Sequence, residues 1–280
     1  MKTGELFLSV CLKVSYRNKP AVLRNLFLQM RRGEILGLVG QSGSGKSTLA
    51  LAMMRLLELK GGRAEGSIFF QGDDLMRMRE RELRGVRGRD IALVLQSPLS
   101  SLNPALRIGT QLAEAWRAHA RGSKRDCRQA IQEALASVSL PTSDEFQGRY
   151  PSQLSVGQAQ RVLIAMAILH HPSLLIADEA TSALDVITQA EILRLFAKLN
   201  RELGMGILYI SHDLLSVASI CNRIAILHEG EIVECGSTGQ IFNRPQHSYT
   251  QRLIEALPER PNVPAPVPER LWNNDPLPVQ

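Results

Sequence analysis

The sequence predicts an α/β protein: a phosphate-binding-loop core on a mixed sheet, an antiparallel β-layer ahead of it, and an α-helical subdomain inserted into it. Three observations carry this. Residues 34–54 read as a short apolar strand, Ile35-Leu36-Gly37-Leu38-Val39, then a glycine loop, then a helix opening at Lys46. Apolar runs at residues 91–95, 174–177 and 206–210 each end abruptly in polar residues, as buried parallel strands do. Residues 97–171 change character and carry apolar residues at three- and four-residue spacings.

Taken in order, residues 6–16 and 22–30 are apolar strands flanking the turn Arg17-Asn18-Lys19-Pro20, an antiparallel layer that feeds the strand at 35–39. Tyr16 either stacks on an adenine ring or is an ordinary strand aromatic. The loop Gly40-Gln41-Ser42-Gly43-Ser44-Gly45-Lys46-Ser47 fits G-x-x-x-x-G-K-[ST] at every fixed position. Glycines let the backbone turn tightly and aim successive N–H groups at one anion, and the new helix adds its positive end. A polyphosphate is the natural guest, with Lys46 reaching the β- and γ-phosphates, Ser47 ligating Mg²⁺ and Thr48 beside them.

A strand at 67–70 and a turn at Gly72-Asp73-Asp74 follow, then Arg77, Arg79, Arg81, Arg84, Arg87 and Arg89, read as a solvated helix face. The strand at 91–95 ends at Gln96, whose amide can serve Mg²⁺ or an attacking water. Helices are expected at 109–120, 125–138 and 158–169. Ahead of the last, Ser155 and Gly157 either cap the helix or bind a second anion. The run Leu174-Leu175-Ile176-Ala177 ends in Asp178, which can hold Mg²⁺, and Glu179, which can deprotonate a water. A helix at 186–203 leads to the strand at 206–210 and to His212, on the sheet edge shared by Gln96 and Glu179. A hairpin around His228-Glu229-Gly230, a helix near 249–257 and an extended, mobile tail holding seven of the 14 prolines close the chain.

Composition narrows the classes. With 280 residues and 44% hydrophobic content the chain can bury a sizeable core. No run of 18 apolar residues occurs, so no membrane span or signal segment is expected, residues 6–12 being too short. Cys11, Cys127, Cys221 and Cys235 are scattered, which indicates neither zinc nor a disulfide framework and suits a reducing cytoplasm. A net charge of +6 is weak evidence for nucleic acid or an anionic surface.

Residues 40–47, Gln96, Leu154-Ser155-Val156-Gly157-Gln158, Asp178-Glu179, Ser182-Ala183-Leu184-Asp185 and His212 together resemble the ordered motif set of ABC-type ATPases over residues 5–245. The resemblance implies a P-loop NTPase core with residues 97–171 as its helical subdomain, and 246–280 as a C-terminal helix and tail. It implies ATP and Mg²⁺ as cofactors. Tyr16, Gly40, Gln41, Ser42, Gly43, Ser44, Gly45, Lys46, Ser47, Thr48, Ser155, Gly157, Gln158 and Asp185 would bind nucleotide, Ser155 and Gly157 by contacting nucleotide on a partner subunit. Ser47, Gln96 and Asp178 would hold the metal, and Glu179, His212 and Gln96 would be catalytic.

Residues 96–104 and 245–250 further resemble the oligopeptide, dipeptide and nickel import ATPases of bacteria. The implied function is the ATP-hydrolysing subunit of an importer for di- and oligopeptides, with nickel or a metal chelate as the alternative cargo and a nucleic-acid-acting ATPase as the less favoured class. Implied partners are a second ATPase subunit, integral membrane permease subunits and, indirectly, an extracytoplasmic solute-binding protein, with no nucleic acid. The implied place is the cytoplasmic face of the inner membrane. Three departures stand out. Val156 replaces the usual glycine, where a β-branched residue tolerates positive φ poorly and implies slowed turnover. Ala180 replaces proline and removes no chemical group. No cysteine follows Cys235, which leaves the cargo open.

Overall fold

The computed structural model describes residues 5–17 and 19–257. The chain opens with β1 (Leu6–Tyr16), β2 (Lys19–Arg31), β3 (Ile35–Val39) and α1 (Lys46–Met53), then β4 (Gly62–Phe70), β5 (Asp73–Asp74), α2 (Glu80–Val86) and β6 (Ile91–Val94). The helical stretch holds α3 (Pro98–Ser101), α4 (Ile108–Arg117), α5 (Lys124–Ser137), α6 (Asp144–Gln147) and α7 (Val156–Ile168). There follow β7 (Leu174–Asp178), α8 (Val186–Leu203), β8 (Gly206–Ser211), α9 (Leu214–Ile220), β9 (Arg223–His228), β10 (Glu231–Ser237), α10 (Thr238–Asn243) and α11 (Ser248–Glu255).

Two sheets result. One is antiparallel in the order β2-β1-β4-β5. On β1 the buried Leu8, Val10, Leu12 and Val14 alternate with Ser9, Cys11 and Lys13, the period-2 pattern of a sheet with one wet face. The other sheet runs β10-β9-β3-β8-β7-β6, with every neighbouring pair parallel except the β9–β10 hairpin. Its central strands are buried at every position, because both faces are covered. Ile35, Val39, Leu175, Ala177, Ile207 and Tyr209 pack into the core shared with the helical stretch and α8 to α11. Leu36, Leu38, Leu174, Ile176, Leu208 and Ile210 pack into the core under α1 and the antiparallel sheet. The register pairs Val94 with Ala177, Asp178 with Ile210 and Val39 with Ser211. Strand ends therefore align, and the segments after β3, β6, β7 and β8 leave from one edge.

Helix boundaries have local causes. α8 starts where the Asp185 carboxylate accepts the N–H groups of Ile187 and Thr188, and it stops at Gly204, which sits at φ 65°. The short helices α3, α6, α9 and α10 were not expected, since one or two turns give too little periodicity to read. The caps at Ser143, Asp213 and Ser237 were the available signal for the last three.

The arginine run is not one solvated helix face. α2 covers only Glu80–Val86, so Arg77 and Arg79 precede it and Arg87 and Arg89 follow it. Arg87 turns inward, donating to the Met54 carbonyl at 2.7 Å and the Arg55 carbonyl at 3.1 Å, while its other nitrogen meets Glu80. Carbonyls at the end of α1 lack intrahelical partners, and the guanidinium fork satisfies two of them. The expected proline-rich tail beyond residue 257 lies outside the described residues.

Candidate functional site

The site grows from the loop between β3 and α1. Gly45 sits at φ 110°, and a Cβ there would fall 2.5 Å from Leu23 and 3.3 Å from the Val22 carbonyl, so only glycine lets the antiparallel hairpin close over the loop. At Gly40 a Cβ would meet the Leu227 carbonyl at 2.2 Å. Lys46 is buried at the start of α1, and its ammonium donates to the carbonyls of Gly40 (2.8 Å) and Gln41 (3.1 Å). The Ser47 hydroxyl donates to Asp178 Oδ1 at 3.1 Å. Burial pushes the Asp178 carboxyl above the usual aspartate range; the Ser47 hydroxyl and Lys46 oppose that rise, and Glu179 adds to it.

Glu179 follows β7 directly and holds a left-handed backbone at φ 49°, with its N–H bonded to the Ile210 carbonyl on β8. Seven other non-glycine residues among those described share positive φ, but of the eight Glu179 alone is a carboxylate lining the cleft. Its carboxylate lies 3.6 Å from the Lys46 ammonium and 3.5 Å from Nδ1 of His212. His212 is 58% exposed and Glu179 only 18%, so the acid is recessed and the imidazole reaches solvent.

Lys46, Ser47 and Glu179 border a cleft of about 470 Å³, within the size range of small-molecule sites. Tyr16 and Val22 line it at the antiparallel sheet, Ser42, Gly43, Gly45, Lys46, Ser47 and Thr48 along the loop, and Gln96 and Glu179 at the strand ends. A second recess of about 430 Å³ adjoins it, lined by Gly40, Gln41, Glu179, His212 and Leu253. Val22 and Leu253 were not anticipated, because each reaches the site through tertiary packing alone. A nucleotide fits this arrangement: the buried Ser44 hydroxyl has no hydrogen-bond partner among the described residues, the loop offers backbone N–H groups and one ammonium, and Tyr16 of β1 adds an aromatic. Mg²⁺ also fits, since Ser47, Asp178 and Gln96 are hard oxygen donors. Among the described residues no group of three or more His, Cys, Asp or Glu could hold a metal unaided, which suits an ion held largely by phosphates and water.

Four of the expected residues lie elsewhere. Ser155 caps α7 by accepting from the Gln158 N–H at 3.2 Å, and the Gln158 side chain accepts from the Ser155 N–H at 3.1 Å. Asp185 caps α8, and the hydrogen bonds from Thr188 hold its carboxyl below the usual range. A Cβ on Gly157 would come 2.8 Å from Thr188, so the starts of α7 and α8 touch. This cluster borders neither recess. Val156 is the first residue of α7 and is absent from the left-handed region, so the strain expected from its β-branch does not arise. The capping box at Ser155 sets a right-handed start that any residue accepts.

A profile of the ABC transporter family matches residues 23–182, more than half of the chain. The chain belongs to the ABC transporter family. It carries the ATP-binding and ATP-hydrolysing cassette of that family. The ATP-binding protein GsiA of Pectobacterium atrosepticum, named for glutathione import, is 46% identical over 247 residues, covering 84% of this chain and 39% of that protein. The chain thus spans about 40% of the length of the curated relatives it matches. Two solved ABC cassettes share the fold. CbiO1 of Clostridium perfringens, part of the transporter complex CbiONQ, has a TM-score of 0.74 at 25% identity, covering 91% of this chain and 96% of that one. The cassette MJ0796, solved as a dimer in a post-hydrolysis state with ADP and Pi, has a TM-score of 0.71 at 29% identity, covering 83% of this chain and 98% of that one.

Proposed function

We propose that this ABC cassette powers a bacterial importer of short peptides by hydrolysing ATP at the edge of its parallel sheet. The observation that carries the reading is the placement of Glu179, recessed between Lys46 and His212 and next to the Asp178–Ser47 pair. In this reading Tyr16 stacks on adenine, and the loop N–H groups and Lys46 hold the phosphates. Ser47, Asp178 and Gln96 hold Mg²⁺, which when bound neutralises phosphate charge. Glu179 takes the proton of the attacking water, and His212, whose Nδ1 stands 3.5 Å from its carboxylate, orients it and contacts the γ-phosphate. A left-handed backbone fixes Glu179 at the cost of local strain, so the base is held rather than mobile.

Ser155, Gly157, Gln158 and Asp185 border neither recess, which supports their acting on nucleotide held by a second ATPase subunit. Among the described residues no helix is long and apolar enough to cross a membrane. In this reading permease subunits carry the transport path, and this chain docks peripherally on their cytoplasmic side. Leu95 and Leu99, both exposed, flank Gln96 and present a surface for that partner. An external solute-binding protein would deliver the cargo. The glutathione-import name of the relatives, glutathione being a tripeptide, together with the segments at 96–104 and 245–250, favours short peptides.

The test is ATPase activity of the reconstituted transporter with di-, tri- and oligopeptides, glutathione, Ni²⁺ and a sugar. Stimulation by one or more peptides is expected. Stimulation by Ni²⁺ alone would replace the cargo by a metal, and stimulation by the sugar alone would overturn the import branch. Gln96→Ala should retain most nucleotide affinity and lose this stimulation, because Gln96 joins the cleft to the helical stretch.

A further inference from the structure

Tyr209 is wholly buried on β8, among Ile207, Leu208 and Ile210, where a phenylalanine ring would fill the same space. Its ring tilts against Phe196 with centroids 6.1 Å apart. Its hydroxyl nevertheless lies 2.8 Å from Oγ1 of Thr181, itself buried, and donates to the Ser216 hydroxyl at 3.3 Å. Ser216 in turn donates to the Asp213 carbonyl at 2.8 Å and stands 3.4 Å from the Ser211 hydroxyl, which accepts the Asp213 N–H at 3.0 Å. Asp213 is held from outside by Gln189 of α8 and by the Leu215 N–H. Thr181 is two residues beyond Glu179, and Ser211 and Asp213 flank His212. The chain of hydroxyls therefore ties the turn that carries the acid to the turn that carries the imidazole.

A fully satisfied buried hydroxyl network rigidifies the segments it joins, which an apolar side chain of the same shape would not do. We infer that the Tyr209 hydroxyl is a positioning device, bridging Thr181 and Ser216 so that the Glu179 carboxylate and the His212 ring keep their working separation. Two features need such a brace. Glu179 holds a left-handed backbone that relaxes unless its surroundings over-determine it, and His212 is mostly solvent-exposed. Tyr209 borders neither recess, so it acts through Glu179 and His212, not on the nucleotide.

The inference rests on Glu179 being the general base. Its test compares wild type, Tyr209→Phe, Thr181→Val, Thr181→Ser and Glu179→Gln, with kcat and KM for ATP, ATP affinity by calorimetry and thermal melting for each. Tyr209→Phe and Thr181→Val should each lower kcat roughly 10- to 100-fold, the scale of small misplacements, with KM and ATP affinity unchanged within about twofold. Thr181→Ser, which keeps the hydroxyl, should retain wild-type kcat. Placed on Glu179→Gln, Tyr209→Phe should change the residual rate by less than about twofold, because two residues acting through one step are not additive. A full kcat in Tyr209→Phe beside a slow Glu179→Gln would overturn the inference alone, as would an undiminished loss in the Glu179→Gln background. A wild-type rate in Glu179→Gln would overturn the base assignment, and the Glu179 half of the inference with it.

Discussion

Replacing Arg223 with methionine exposes how the two sheets are fastened. Arg223 on β9 donates to Glu34 Oε1 at 3.0 Å and to the Gln29 carbonyl of β2 at 3.1 Å, so one side chain joins the central sheet to the antiparallel one. Glu34, in the turn between β2 and β3, is 5% exposed and also accepts the Arg31 N–H at 2.8 Å. Burial pushes its carboxyl above the usual glutamate range, and the Arg223 charge is the largest opposing influence. Removing the guanidinium leaves a buried carboxylate without its cation, which costs about 3–5 kcal/mol.

The pH dependence has a definite sign. A folded pKa above the unfolded one means the carboxyl favours folding when protonated and loses that contribution as pH rises through the folded value. The variant raises that value further, so its penalty is small near the ordinary glutamate range and grows toward neutral pH. Urea unfolding at about pH 5 and pH 8 should show a larger deficit at the higher pH by at least about 1 kcal/mol. The Arg223 guanidinium also donates to the Cys235 sulfur at 3.4 Å. Replacing both partners, as Glu34→Gln with Arg223→Met, should recover half the loss or more. A deficit below about 1 kcal/mol at pH 8, or one equal at both pH values, would refute the reasoning.

Glu179→Gln should bind ATP normally and hydrolyse it at least about a hundredfold more slowly, measured under saturating Mg-ATP. Lys46→Ala should weaken ATP binding on the order of 10- to 100-fold by calorimetry, since it removes a charge-assisted donor to the phosphates. If the chain pairs with itself, Lys46→Ala mixed with Ser155→Arg should regain activity that neither has alone, through one intact composite site. Hydrolysis strictly first-order in protein down to nanomolar concentration would count against that pairing. Arg87→Ala should cost about 1–3 kcal/mol, read by denaturant unfolding, because it leaves the Met54 and Arg55 carbonyls unpaired.

Much of this fold was legible because its central strands are short apolar runs that end in a polar tip, and the tip is where the chain leaves the sheet. Gln96, Glu179 and His212 could be assigned to one edge on that basis. α8 was readable to the residue, having a capping Asp185, eighteen periodic positions and a closing Gly204. Legibility failed where the cause was tertiary. The inward turn of Arg87 depends on carbonyls more than thirty residues away, and the Tyr209–Thr181 bond spans 28 residues. Ser155 allows both a cap and an anion site by sequence, and the structure shows the cap. At Val156 the expected strain is absent, because helix position N1 demands no left-handed backbone.

The central sheet is a wall between two separate interiors, and successive residues of β3, β7 and β8 belong alternately to one and the other. Such a strand is written in a reading frame of two. Deleting Gly206 at the start of β8 would turn Ile207, Leu208, Tyr209 and Ile210 each toward the wrong interior, since side chains alternate strictly along a strand. Length variation among relatives of this chain is therefore expected to collect in connecting segments, such as those around residues 121–122 and 139–143, and to be absent from these strands. A library of single-residue deletions, sorted for folded protein, would trace the wall as a band of intolerance one sheet wide.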